Sequence, residues 1–395
     1  MPLQYQPDDE VFWADIREQL LPMYNSTQLS NMRRGPAPRA VRDRVKSLVD
    51  LALSYELDAY EPFLNMKESG SSDALRLAMA DFFGCKPTEI ALTRNAMEGL
   101  ATVLLGLDLQ RGAEMLATEF CYDSNLAIIN QRCAREGTVL KLVNLPLEAV
   151  TDDEIVAIFA EAITDRTSLI LFPHVLRNTG RIMPVARIAA LARARGVFTL
   201  VDGAHSVGHI DFRLEALGCD AFATCLHKWF QGPRGTGFLY IREDRIKDVW
   251  PIHATWSGKP ASSIEKFEEV GTVFKALPGA LPEALAFNRF LTMPAKAARF
   301  RYLRDRWLIP LAENNRVKLL TQQTPDYHTG FGAFMVEGMD AATFHRRLAR
   351  EYDINISLVP LNGGSEPSGL QVSPHLSNSV EEIDRLVGAT ATILA

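Results

Sequence analysis

Between about Asp73 and Tyr240 the chain alternates short apolar runs with amphipathic stretches, and this rhythm constrains the fold more than any other feature of its 395 residues. The runs are EIALT (89–93), EMLAT (114–118), TVLKLV (138–143), SLILF (168–172), VFTLV (197–201), AFATC (221–225) and GFLYI (237–241). Each has the length of a strand and is short for a buried helix. Between them lie segments with helical spacing, such as Asp152–Ile163 and Val185–Arg195, the second closed by Gly196 where a helix C-terminal cap is expected. Strands separated by helices predict an α/β unit with a mainly parallel sheet covered on both faces. GFLYI follows its neighbour after only a short loop, which makes it the candidate for an antiparallel member.

Beyond about Leu281 the rhythm changes. A long helical region (Leu281 to about Leu320) leads to the strand-like GFGAFMVEG, a helix near Ala341–Glu351, two short strands and a closing helix from Val380. That pattern reads as a smaller α+β domain. The expected division is residues 1–25 as an N-terminal segment, with helical Asp9–Leu21, packing on the small domain; residues 26–280 as the large domain; and residues 281–395 as the small C-terminal domain.

With 47% hydrophobic and 23% charged residues, the chain has the composition of a soluble globular enzyme and ample material for a core. The net charge of -6 argues against nucleic acid or an anionic membrane as a partner. No apolar run is long enough to span a bilayer. MPLQYQPDDEVFWADI lacks a basic stretch followed by an apolar one, so no export signal is read there. The five cysteines (Cys85, Cys121, Cys133, Cys219 and Cys225) are scattered and never form a CxxC pair. Buried thiols in a reducing cytoplasm are expected from them, with neither disulfides nor a metal site.

Three segments carry candidate chemistry. In VDGAHSVGH (201–209) an apolar strand runs into Asp202 and stops at Gly203, and ligands of open α/β sheets sit at such carboxyl ends. In LHKWFQGPRGTG (226–237) Lys228 follows another strand end and precedes a Gly/Pro-rich loop. A lysine beside aromatic side chains at a sheet edge is partly desolvated, which makes its amine a usable nucleophile. TRNAMEGL (93–100) sits at a strand-to-helix junction, whose unpaired amides and dipole form a phosphate seat. Singly, each has a plain alternative: a turn aspartate, a solvated lysine, a helix start without P-loop glycines.

In that order and spacing, the motifs resemble the class V aminotransferase family, fold type I pyridoxal-5′-phosphate (PLP) enzymes that include cysteine desulfurases and isopenicillin N epimerase. The likeness runs from about Met23 to Val387 and is strongest over Val201–Tyr240, where HKW followed by GPRGTGFLY resembles the epimerase branch. The resemblance implies that Lys228 holds PLP as a Schiff base and moves the Cα proton, that Asp202 pairs with the pyridine nitrogen, and that His205 contacts the phenolic oxygen. It implies phosphate contacts from Asn95, Ala96 and Met97, from His227, and from Thr224 or Cys225. Tyr122 of CYDSN falls where the family stacks a ring on the pyridine, and Asn178 of HVLRNTG (174–180) is a further cofactor contact. Gly271-Thr272 resembles the segment that reaches the neighbouring subunit's phosphate, implying a homodimer with shared sites.

Two departures narrow the reaction. In LQVSPHLSNSVEEIDRLV, Gln371 stands where the family carries the arginine that grips the substrate α-carboxylate, and glutamine supplies neither charge nor a matching fork. Arg177 is the candidate replacement, with a solvated loop arginine as the alternative. The loop SLVPLNGGSEPSG (357–369) has no cysteine, which speaks against persulfide-forming desulfuration, and Gly363-Gly364 and Pro367 suggest a lid. His375, Asn25, Thr27 and Arg33-Arg34 are further substrate candidates. The leading expectation is a cytoplasmic secondary-metabolism lyase acting at Cα of an S-conjugated cysteine by β-elimination. Decarboxylation-coupled oxidative deamination and aminotransferase or epimerase chemistry are the alternatives. A lapsed PLP-fold binding protein would be expected to have lost Lys228 or Asp202, and both are present.

Overall fold

A computed structural model describes residues 5–20, 26–54, 71–146, 151–254, 258–271, 274–322, 327–360 and 368–395. After β1 (Thr27–Gln28) come β2 (Ile90–Thr93), β3 (Glu114–Thr118), β4 (Val139–Val143), β5 (Thr167–Pro173), β6 (Phe198–Asp202), β7 (Ala221–Cys225) and β8 (Gly237–Ile241). Strands β2 to β8 form one seven-stranded sheet in the order β2-β8-β7-β6-β5-β3-β4. Every pairing in it is parallel except those of β8, which runs antiparallel to both neighbours.

Because the sheet is covered on both sides, its strands bury alternate residues into two separate cores. Leu116, Ile170, Phe172, Val201 and Phe222 enter one, and Met115, Leu169, Leu171, Leu200 and Ala223 enter the other. Chain order reverses between β3 and β5: from β3 the chain moves outward to β4, then returns through β5 toward β6 and β7. Open α/β sheets bind ligands in the crevice at such a point.

The later strands, β9 (Val317–Leu319), β10 (Gly332–Val336), β12 (Ser357–Val359) and β13 (Gly369–Val372), form an antiparallel sheet in the order β12-β13-β10-β9. The short β11 (Ile354–Asn355) pairs instead with β1, in parallel. Residues 27–31, expected within the large domain, thus run with the C-terminal half: Ser30 bridges Ser373, and Asn31 bonds Asn378. The N-terminal helix Glu10–Leu20 lies where the two parts meet, its Trp13, Ile16 and Leu20 packing with Val175, Trp229, Phe300 and Leu376.

One expected element divides. The region from Leu281 forms two helices, Leu281–Leu291 and Met293–Ala312, followed by β9. Thr292 between them has φ +60°, and Pro294 near the second helix's start lacks an N–H to continue the first. No described helix is long and apolar enough to cross a membrane.

Candidate active site

Strand β6 delivers Asp202 to the sheet's carboxyl edge, and Gly203 lets the chain turn there. A methyl group on Gly203 would lie 1.9 Å from the Phe222 ring, so no side chain fits. Asp202 is half-buried; its Oδ2 accepts from Asn125 Nδ2 at 3.0 Å and its Oδ1 from the Ala204 amide at 3.0 Å. Both donors are neutral. Burial pushes the carboxyl above its ordinary range, although the Ala204 amide, Lys228, Asn125 and Arg177 all pull it down. An oriented, desolvated carboxylate of this kind fits a cationic ring nitrogen.

Lys228 follows β7, half-buried, with Nζ 3.3 Å from His205 Nε2. His205 is buried, and burial, reinforced by the charge of Lys228, holds its imidazole well below the usual basicity, so it is neutral. Beneath Lys228 the chain reverses through Gln231 at φ +64°, a buried non-glycine residue in the left-handed region whose Nε2 donates to the Pro36 carbonyl at 3.2 Å. His227 is half-buried, with Nδ1 unpartnered and its basicity lowered mainly by desolvation.

The helix Ala96–Gly106 begins beside this edge. Its N-cap Asn95 accepts from the Glu98 amide at 3.0 Å, which fixes the first turn. A methyl on Gly237 would stand 2.9 Å from Asn95 Cα and 2.4 Å from the Thr224 carbonyl, so glycine there brings the turn against the lysine strand. Amides at a helix start fit a phosphate. Met97 exposes 48% of its surface, and its side chain adds no polar contact. A cavity of about 340 Å³ adjoins the turn, lined by Asn95, Met97, Ile252, Phe267 and Val270 among others.

The loops after β3 and β5 flank the crevice. Tyr122 is 52% exposed, and the Arg177 guanidinium lies over its ring at 5.3 Å. Arg177 is partly accessible, donates to the exposed Asp123 carboxylate at 3.2 Å, and keeps its Nε unpartnered. It is a cation within electrostatic reach of both Asp202 and His205.

Several residues expected at the site are turned elsewhere. Thr224 is fully buried, and its hydroxyl donates to the Gly203 carbonyl at 2.9 Å. Cys225 Sγ faces the Ala204 carbonyl, and burial raises its thiol. Neither is placed for a phosphate. Gln371 has no exposed surface: its Nε2 donates to the carbonyls of Arg177 (2.5 Å) and Asn178 (3.0 Å). Both amide hydrogens are thereby committed, which leaves no N–H of Gln371 for a substrate carboxylate and makes it a staple between β13 and the β5 loop, with Oε1 buried and unpartnered. Asn178 is buried and donates to the Pro360 carbonyl, leaving only Oδ1 unpartnered. His375 is also fully buried, stacked on Trp229 at 5.5 Å, in the core of this structure. Thr27 is buried and accepts from Arg385, while Arg33 and Arg34 are exposed. Asn25, Thr272 and the 361–367 stretch of the expected lid lie outside the described residues.

Two residues were not anticipated. Asn125, in the first turn of the helix Asp123–Glu136, orients Asp202; in CYDSN the sequence singles out only Tyr122. Trp229 contacts His205, and the sequence marked it only as an aromatic neighbour of Lys228.

The comparisons agree with this geometry. The chain matches the family Aminotransferase class-V over residues 65–386. It is 30% identical over 395 residues to isopenicillin N epimerase of Streptomyces clavuligerus, covering 95% of this chain and 97% of that protein. It is 28% identical over 382 residues to a cysteine desulfurase of Yersinia pestis (strain Pestoides F), covering 90% and 91%. Among solved structures, a C-DES mutant with glycine covalently linked to its PLP cofactor shares the fold at TM-score 0.82 and 24% identity, over 95% of this chain and 98% of that one. The apo cysteine desulfurase of Thermococcus onnurineus NA1 does so at TM-score 0.82 and 22% identity, over 96% and 98%. A seven-stranded α/β sheet with a separate antiparallel sheet is the fold type I architecture, and with these matches the chain belongs to the class V aminotransferase family of PLP-dependent enzymes.

Proposed function

We propose that the protein is a PLP-dependent lyase that breaks the C–S bond of an S-conjugated cysteine by β-elimination, in secondary metabolism. The observation that carries this reading is the pairing of Lys228 Nζ with the neutral His205 at 3.3 Å, on the same sheet edge as the buried carboxylate of Asp202. PLP, when bound, supplies an electron sink for charge developing at Cα.

Lys228 Nζ holds the cofactor and carries the Cα proton. Asp202, kept in place by Asn125 and the Ala204 amide, would pair with the cofactor's ring nitrogen. With PLP bound, His205 would donate to its phenolic oxygen, Tyr122 would lie against its ring, and the amides at Asn95, Ala96 and Met97 with His227 would hold its phosphate. Arg177 binds the substrate carboxylate in place of the family's arginine. The overall balance is a thioether-bearing amino acid plus water giving a thiol, a keto acid and ammonia.

Neither cysteine beside the candidate site is set up as a sulfur acceptor. Burial pushes the Cys121 thiol up to about 12 and raises that of Cys225. This separates the reading from persulfide transfer. Gln371 favours a second reading, decarboxylation-coupled oxidative deamination, because its committed amide leaves the carboxylate with the looser grip of Arg177 alone. The likeness to the epimerase supports a third, in which Lys228 returns the proton on the other face.

A homodimer with shared sites belongs to the same proposal. Met97, Tyr122, Ile252 and Trp250 are exposed apolar side chains, and Met97 and Ile252 line the cavity beside the phosphate turn. Sedimentation equilibrium tests it, with a monomer at micromolar concentration contradicting it.

Purified protein is expected to absorb in the visible and to yield a borohydride-trapped adduct on Lys228. Incubation with S-alkyl cysteines should release thiol, keto acid and ammonia. Carbon dioxide with oxygen uptake would select the second reading, and loss of chirality without cleavage the third.

A further inference from the structure

Two buried histidines near Lys228 carry their single protons on opposite nitrogens, and the partner of each decides which. The Gly330 amide donates to His209 Nε2 at 2.9 Å, so the His209 proton stands on Nδ1, 3.1 Å from the His205 carbonyl. The Trp229 indole N–H, a group that can only donate, reaches His205 Nδ1 at 3.4 Å. His205 must accept there. As a neutral imidazole has one proton, His205 bears it on Nε2, the atom facing Lys228 Nζ.

We infer that Trp229 is a positioning residue for the PLP-binding lysine: it fixes the His205 tautomer so that Lys228 meets an N–H donor. A donor at Nε2 is satisfied only by a lone pair on its partner, which the free-amine form of Lys228 offers. Attachment to a cofactor aldehyde needs the free amine. The opposite tautomer would present a lone pair to Lys228 instead of an N–H. Trp229 is held for this task from several sides: its ring stacks on His209 at 3.9 Å and on Phe331 at 5.8 Å, with Phe300 edge-on at 5.2 Å. The charged and titratable groups around His205 are Lys228 on the loop after β7, His209 on its own loop, and Arg177 on the loop after β5. Arg177, a cation, opposes protonation of His205.

The inference rests on the PLP reading for its chemical purpose, but its first test does not. Nitrogen-15 NMR of the histidine-labelled full chain, with and without PLP, should place the His205 proton on Nε2 and the His209 proton on Nδ1. A His205 proton on Nδ1 overturns the inference, whether or not the protein takes up PLP; failure of the PLP reading would show separately, as no visible band.

The second test replaces Trp229 by Phe, which keeps an apolar ring against His209 and removes only the indole donor and some volume. The pH midpoint for PLP uptake by the full chain should rise by about one unit, the scale of one hydrogen bond. In a His205→Gln background, where no tautomer exists, adding Trp229→Phe should leave the midpoint where it is. An unmoved midpoint in Trp229→Phe, with native circular dichroism, overturns the inference. Should that variant not fold, the NMR assignment on the unmodified chain decides.

Discussion

The two sides of the crevice use their polar groups in opposite ways. At the carboxyl ends of β6 and β7, Asp202, His227 and Lys228 are half-buried and keep part of their surface accessible. On the side of the smaller sheet, Gln371, Asn178 and His375 are buried, and the amides of Gln371 and Asn178 are bound to main-chain carbonyls. Arg177 is the accessible cation between the two sides. Under the proposed roles the contrast marks where this chain diverges: the side proposed for the cofactor keeps the family's motif residues, while Gln371 on the other side joins one sheet to the loop after β5.

The largest effects should come from the cofactor side. Lys228→Ala should lower turnover by about a thousandfold or more, since positioned acid–base groups alone contribute roughly 10²–10⁴-fold. Product release and the borohydride adduct measure it, and residual trapping at another lysine would break the contrast at its strongest point. Asp202→Asn removes the charge proposed to face the ring nitrogen and should cost about 10²–10³-fold in turnover, as loss of one aimed electrostatic group does. Full activity in that variant would mean that the carboxylate held by Asn125 has no part in the chemistry.

Arg177→Gln comes next and sharpens the boundary between the sides. A hydrogen-bonded charge contributes about 1.5–3 kcal/mol, so KM should rise about tenfold to a hundredfold with turnover less changed. An unchanged KM would return Arg177 to its ion pair with Asp123 and leave the carboxylate grip unassigned.

Much of this contrast could not be read from the order of residues. The parallel sheet was legible because strand length, helical spacing and the Gly196 cap repeat a physical period, and the antiparallel β8 followed from its short connection. Lys228 and Asp202 were legible because strand ends followed by glycine loops place side chains at a sheet edge. The split at Thr292 was missed because one residue with positive φ interrupts two good helical patterns without changing their periodicity. Gln371 was recognised as a departure, but its consequence depends on two carbonyls almost two hundred residues away in sequence, brought close only by tertiary folding. The Trp229–His205 contact was hidden for a similar reason: both residues lie in recognised motifs, and only the packing of β6 beside β7 joins them.

On the substrate side the effects should appear in stability before kinetics. Gln371→Ala leaves the Arg177 and Asn178 carbonyls without their donor and should cost about 1–3 kcal/mol in unfolding free energy, read by urea denaturation. A rise in KM equal to that of Arg177→Gln, with no loss of stability, would reinstate Gln371 as a substrate contact.

His375→Phe tests the same side through pH. Burial, and next the charge of Lys296, lowers the imidazole from 6.5 to about 3. The unfolded chain therefore takes up a proton on His375 below pH 6.5, while the folded chain does so only near pH 3, and stability falls as the pH drops through that window. Phenylalanine keeps a ring against Trp229 and has no proton to take up. Its variant should lose stability less steeply on acidification, by about 1.4 kcal/mol per pH unit within the window. Urea midpoints at pH 7 and pH 5 measure the difference, and kinetic constants at pH 7 should match the parent. An unchanged acid slope would mean that His375 is already protonated in the fold, and a changed KM would place its ring in the crevice, where the burial of every one of its atoms argues it is not.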